Sequence, residues 1–145
     1  RAASDMLRQL RFAMLDLELH RRALSPGESP FDVQRRIDAQ TTVIAAHPQD
    51  RFLCSFGHIF AGGYSAGYYS YKWAEVMSAD AFGAFEDAGL QFSDVQLPDA
   101  VISIGLKFRR TVLSLGGSRH PAAVYQEFRG RDPDVGALLR HSGLA

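Results

Sequence analysis

The run Phe56-Gly57-His58-Ile59-Phe60-Ala61-Gly62-Gly63-Tyr64-Ser65-Ala66-Gly67-Tyr68-Tyr69-Ser70-Tyr71, continuing Lys72-Trp73-Ala74-Glu75-Val76-Met77-Ser78-Ala79-Asp80-Ala81-Phe82, decides how the chain is read. It begins as a glycine-interrupted loop and becomes a long apolar segment at helical spacing. Glycines at 62, 63 and 67 disfavour a helix at its start, which puts Tyr64 on the loop and Tyr71 on the helix. Were the whole stretch helical, Tyr64, Tyr68, Tyr71 and Glu75 would share one face, with Tyr69, Trp73 and Met77 packing on another. The helix is expected over residues 66–88, closed by Gly89. With Trp73, Val76, Met77, Phe82 and Phe85 it is apolar on more than one face, which predicts burial.

Helical patterns continue on both sides. Over residues 4–20, Met6, Leu7, Leu10, Met14 and Leu17 keep helical spacing with charges between them. Pro26 and Gly27 mark a turn, and Ser29-Pro30 reads as an N-cap and N1 pair opening a short helix through Val33 and Ile37. Residues 41–44 are β-branched and ambiguous, and Pro48 ends that segment. Asp94, or Asp99 with Pro98, starts a helix through Val101, Leu106, Phe108, Val112 and Leu113 that Gly116-Gly117 stops. Another spans residues 121–129 and ends at Gly130. Asp132-Pro133 is the clearest N-cap and N1 signal, predicting a last helix through Leu138, Leu139 and Arg140 to Gly143. Five or six helices, no convincing strand and short turns make the chain all-α, one helical region over residues 1–145.

Composition narrows the function classes. Hydrophobic residues make up 46% and charged residues 22%, as in globular domains. Lys+Arg and Asp+Glu balance at 16 each, so no net field favours nucleic acid or an anionic membrane. No apolar run approaches the roughly 20 residues that span a bilayer. The opening Arg1-Ala2-Ala3-Ser4 carries no initiator methionine and reads as a piece cut from a longer protein. The single Cys54, among Phe52, Leu53 and Phe56, fits a reducing compartment and is expected to be a buried, inert thiol.

Chemical density is concentrated in one place. Four of the five tyrosines fall at positions 64, 68, 69 and 71, just after His58 and the Gly62-Gly63 pair. Phenol and imidazole donors on a glycine loop can close over a polar substrate and stabilise developing negative charge. Tyrosines also pack well in cores, and a lone histidine in an apolar run is more often a satisfied core residue. His20, His47, His120 and His141 are expected at the surface or capping helices. No His-Glu-x-x-His is present, so the chain holds no standard zinc site of its own. Neither Gly-Gly pair leads into a phosphate cradle. Arg109-Arg110 and Arg129 to Arg131 read as solvated faces or partners of nearby acids.

The run quoted above resembles the C-terminal region of the thimet oligopeptidase family of zinc metallopeptidases, on its oligopeptidase A branch of plant or algal type. Gly116-Gly117-Ser118, Phe128-Arg129-Gly130-Arg131-Asp132-Pro133 and Leu138-Leu139-Arg140-His141-Ser142-Gly143-Leu144 resemble that family's closing helices. Leu7-Arg8-Gln9-Leu10 onward to His20 is similar too, whereas residues 90–104 depart from the pattern. The resemblance implies a large helical, two-lobed intracellular peptidase, of cytoplasm or an organelle (chloroplast or mitochondrion), whose channel admits short peptides. It implies Zn2+ held by residues outside this chain, upstream in the same polypeptide, which would be the partner of this region. It further implies that His58, Gly62, Gly63 and Tyr64 contact substrate, that Tyr68 lies beside the metal site, and that Tyr71 donates to the oxyanion.

Three readings follow. The first is the substrate-loop end of a zinc oligopeptidase, inactive when isolated. The second is a non-catalytic helical module that keeps the aromatic loop for peptide binding and lacks the metal site. The third is purely structural and places every tyrosine in the core.

Overall fold

The computed structural model describes residues 2–93 and 95–145, and all regular structure among them is helical. The chain divides into two compact units, Arg1–Trp73 and Ala74–Ala145.

In the first unit, α1 (Ala2–His20) packs against α2 (Pro30–Thr41), and two 3₁₀ turns follow, Phe52–Ser55 and Gly57–Ile59. The N-terminus of α2 forms as expected. Ser29 Oγ accepts the Asp32 N–H at 3.3 Å while the Asp32 carboxylate accepts the Ser29 N–H at 2.8 Å, a reciprocal cap worth about 1 kcal/mol. Leu15, Val33, Ile37 and Leu53 form one buried cluster; Phe12, Phe56 and Ile59 form a second, edged by Phe52 and Tyr68.

The buried stripe of α1 differs from the expected one. It is Phe12, Ala13, Leu15 and Asp16, whereas Leu10 and Leu17 are exposed. Aromatic packing decides the rotation: the Phe12 ring lies 5.1 Å from both Phe52 and Phe56, contacts that no leucine on the other face could replace. Arg11 then grips the buried Asp38 on α2 through Nε at 2.5 Å and Nη2 at 3.1 Å, a bidentate bridge between the two helices.

Helix α3 (Ser70–Asp87) begins four residues later than expected, because the preceding backbone N–H groups are drawn elsewhere, as described below. It is also less buried than its composition suggests: Tyr69 just before it and Trp73 within it are exposed, and its buried residues are Asp80, Gly83 and Ala84.

The second unit contains the rest of α3, α4 (Asp99–Phe108), a π turn at Arg109–Leu113, α5 (Pro121–Arg129) and α6 (Gly136–His141). Of the two predicted starts for α4, Asp99 is the observed one; Asp94 lies outside the described residues. The core collects Ala84, Val101, Val124, Tyr125, Phe128, Ala137 and Leu138.

The buried Asp80 carboxylate organises this unit. It accepts hydrogen bonds from Tyr125 Oη at 2.7 Å, from Arg131 at 2.6 and 2.7 Å, from Arg129 at 3.1 Å and from the Asp134 N–H at 2.9 Å. Arg129 and Arg131 are therefore ion-pair partners of an acid, one of the two alternatives the sequence left open. The same network explains why Asp132-Pro133 does not open the last helix. Asp134 donates its N–H to Asp80 and Asp132 accepts from Gln126 Nε2 at 2.7 Å, so α6 starts only at Gly136.

Candidate functional site

The loop between Ile59 and α3 is folded by its own backbone. Gly62 N–H donates to the Gly57 carbonyl at 2.9 Å and Tyr64 N–H to the His58 carbonyl at 3.1 Å. Ser65 Oγ donates to the Ile59 carbonyl at 2.7 Å. Gly62 is required by close approach: a Cβ there would meet His58 Cα at 2.7 Å and its carbonyl oxygen at 2.8 Å. Gly63 is required by conformation, with φ of 82°.

One carboxylate from α1 fixes the second half of the loop. Asp16 is fully buried, and its two oxygens accept the N–H groups of Ala66 and Tyr68, each at 2.8 Å. Ala66 takes the left-handed conformation at φ of 53°, and the Ala66 and Tyr68 N–H groups face the acid while the Gly67 N–H between them donates to the Tyr64 carbonyl at 2.8 Å. His20 Nδ1 lies 2.9 Å from the same carboxylate, and its ring centroid is 5.9 Å from that of Phe60 in the loop. These bonds take residues 66–69 out of any helix and delay α3 to Ser70.

The structure brings His58, Tyr64, Tyr68 and Tyr71 into one ring cluster. Tyr64 and Tyr71 stack with centroids 5.1 Å apart and planes 19° apart, and Tyr68 lies 5.0 Å from Tyr71. The His58 ring is 6.0 Å from Tyr64 and 6.3 Å from Tyr68. Tyr68 is the inner member, meeting Phe12 and Phe56 edge-on and donating its hydroxyl to Gln9 Oε1 at 3.3 Å. Tyr71 is the outer one, 38% exposed. Its environment suits a neutral donor: hydrogen bonding with Tyr64, then burial and the neighbouring phenols, push its pKa above the ordinary value. Burial does the same for Tyr68, partly offset by the Arg8 charge.

Other groups fall elsewhere than the sequence suggests. Cys54 is exposed, because the 3₁₀ turn carrying it sends Leu53 inward. His20 holds Asp16, His141 Nε2 lies 2.9 Å from Glu86, and His120 Nδ1 accepts the Ala122 N–H at the cap of α5. The second unit has an apolar cavity of about 590 Å³ lined by Met77, Phe82, Phe85, Phe108 and Phe128. The Tyr125 hydroxyl on its wall is committed to Asp80, so the cavity offers little chemistry. Asp16 and Gln9 were missed from sequence. The available signal was an aspartate four residues after Phe12 and three before Leu19, on the stripe that turns out to be buried.

The chain matches the model of peptidase family M3 over residues 1–144. The chain belongs to that family. Among curated M3-type relatives it is 59% identical over 145 residues to organellar oligopeptidase A, chloroplastic/mitochondrial, and 58% to probable cytosolic oligopeptidase A, both of Arabidopsis thaliana. It is 42% identical over 144 residues to oligopeptidase A of Haemophilus influenzae. Each alignment covers 99% of this chain but 18%, 20% and 20% of the respective relative, so the chain spans about a fifth of their length. The resemblance read from Gly62-Gly63-Tyr64 and the closing helices is thereby borne out. Among the described residues no group of three or more His, Cys, Asp or Glu side chains is placed to hold a metal ion, and no helix is long and apolar enough to cross a membrane.

Proposed function

We propose that this chain is the substrate-loop segment of a zinc-dependent oligopeptidase that hydrolyses internal bonds of short peptides. The metal would be held by residues outside this chain. What this segment supplies is recognition and charge stabilisation. His58, Tyr64 and the backbone around Gly62 and Gly63 hold the extended peptide. Tyr71, assisted by Tyr68, donates its hydroxyl to the oxygen that becomes negative when water adds to the scissile carbonyl. A phenol keeps its proton at pH 7, whereas an imidazole with pKa near ~6.5 is only partly protonated.

The observation that carries this reading is the Tyr64–Tyr71 stack at the protein surface, with the outer phenol accessible and its pKa raised. The matched relatives are named as oligopeptidases of chloroplast and mitochondrion or of cytosol, and support an intracellular peptidase of one of these compartments. The test is Tyr71→Phe in the complete polypeptide. Turnover of a short quenched peptide is expected to fall about 10²–10³-fold, with unfolding temperature unchanged. Full turnover in the variant would remove Tyr71 from the chemistry.

A further inference from the structure

Three buried carboxylates stand out among the described residues, and they are partnered differently. Asp38 is gripped by Arg11, and Asp80 by Arg129 and Arg131. Those arrangements neutralise a buried charge with guanidinium groups and tie elements together. Asp16 is as buried as either, yet its acceptors go to backbone N–H groups of Ala66 and Tyr68, 50 and 52 positions away. Each residue it holds bears on the loop's geometry. Ala66 is a non-glycine residue at φ of 53°, a left-handed conformation that L side chains rarely adopt. Tyr68 carries the ring that backs Tyr71 at 5.0 Å.

We infer that Asp16 is a positioning residue for the substrate loop, clamping residues 66–68 so that Tyr68 and Tyr71 present their hydroxyls in one fixed arrangement; this rests on the loop's proposed role. His20 Nδ1 lies 2.9 Å from both the main-chain carbonyl of Asp16 and the same Oδ1 that accepts the Ala66 N–H, and its ring lies 5.9 Å from that of Phe60. The acid contacts no substrate; it acts through the backbone of Tyr68. A charged acceptor suits this task, because bonds from N–H groups to a carboxylate are about twice as strong as neutral ones. Asn at the same place keeps the shape but offers one acceptor atom instead of two.

The experiment uses the complete polypeptide and two independent readouts. In the wild type, hydrogen exchange followed by mass spectrometry should find the amides of residues 66–68 protected although Ser65 and Ala66 are exposed. Asp16→Asn should remove that protection and lower kcat by about 10²-fold, the scale of a displaced catalytic group. Combined with Tyr71→Phe, it should cost little more than Tyr71→Phe alone, because both losses pass through the same phenol. Rapid exchange of residues 66–68 in the wild type, or losses that multiply in the double variant, would overturn the inference. Should Asp16→Asn not fold, the wild-type exchange pattern decides alone. A harmless Tyr71→Phe would instead overturn the proposed function, leaving the exchange result to stand or fall separately.

Discussion

Asp16 Oδ2 accepts the backbone N–H of Tyr68 at 2.8 Å, joining the buried face of the first helix to the aromatic loop 52 positions further on. The bond connects fold and site. The stripe that packs α1 into the core also delivers the acid that interrupts the loop-to-helix transition, so the ring cluster forms where a longer helix would otherwise run.

The loop glycines are expected to be unequal in substitution. Gly62→Ala drives a Cβ to 2.7 Å from backbone atoms of His58, which cannot swing aside as a side chain would. A loss of about 1–3 kcal/mol is expected. Gly63→Ala meets open space but keeps φ of 82°, a penalty of about 1–2 kcal/mol. Thermal unfolding of both variants, with peptide KM, checks this. A neutral Gly62→Ala would contradict the loop geometry.

Asp80→Asn should be the most damaging of the acid-to-amide changes in the second unit. It removes the carboxylate that pairs with the partly exposed Arg131 and leaves the more buried Arg129 with only the exposed Asp87, at a cost of about 3 kcal/mol, the lower end for breaking a buried pair because solvent screens Arg131. The pH dependence has a definite sign. Burial pushes the Asp80 carboxyl up, but Arg131, Tyr125, the Asp134 N–H and Arg129 together hold it well below the usual carboxylate range. Its contribution is therefore fully present above the unfolded carboxylate value near ~3.9. It disappears only as pH falls through the lower folded value. Denaturant unfolding of wild type and variant should differ most near neutrality and converge in strong acid.

Three phenols should titrate late. Tyr125 is pushed up by burial and by the Asp80 carboxylate; Tyr71 and Tyr68 are raised for the reasons already given. Raised folded values mean that their contribution to stability is complete below the unfolded phenol pKa of about 10 and is lost as pH rises through the folded values. Ultraviolet difference titration of the folded protein should find Tyr125, Tyr71 and Tyr68 ionising above the ordinary range. Ionisation of Tyr71 near pH 7 would disqualify it as a neutral donor.

Much of the fold is legible because local signals and tertiary contacts agree. Ser29-Pro30 opens α2 and Gly130 closes α5 with its left-handed cap. The two late helix starts have a common cause: a buried acid taking a backbone N–H away from local use. Asp134 donates to Asp80, and the strong Asp132-Pro133 signal yields to it. Ala66 and Tyr68 donate to Asp16, and α3 starts late. Neither acid announces itself by spacing to the segment it controls. The ring cluster of the site was legible from composition and resemblance, whereas the acid that holds it required the fold. Within this chain Tyr125 alone of the five tyrosines is buried, while Tyr69 and Tyr71 are exposed, so the fold of the segment does not place every tyrosine in its core.

The purified 145-residue chain alone is expected to hydrolyse no peptide and to retain no stoichiometric zinc after gel filtration, since the described residues assemble no metal-holding cluster. Peptide hydrolysis that survives repurification and disappears with a chelator would contradict this.

The most direct test of the central claim is the affinity of an uncleavable phosphinic peptide, whose tetrahedral phosphorus mimics the addition intermediate, for the complete polypeptide and its Tyr71→Phe variant. If Tyr71 stabilises the oxyanion, Ki should rise by the same factor as kcat/KM falls, about 10²–10³-fold. A Ki that stays unchanged while turnover falls, or no change in either, would contradict the account.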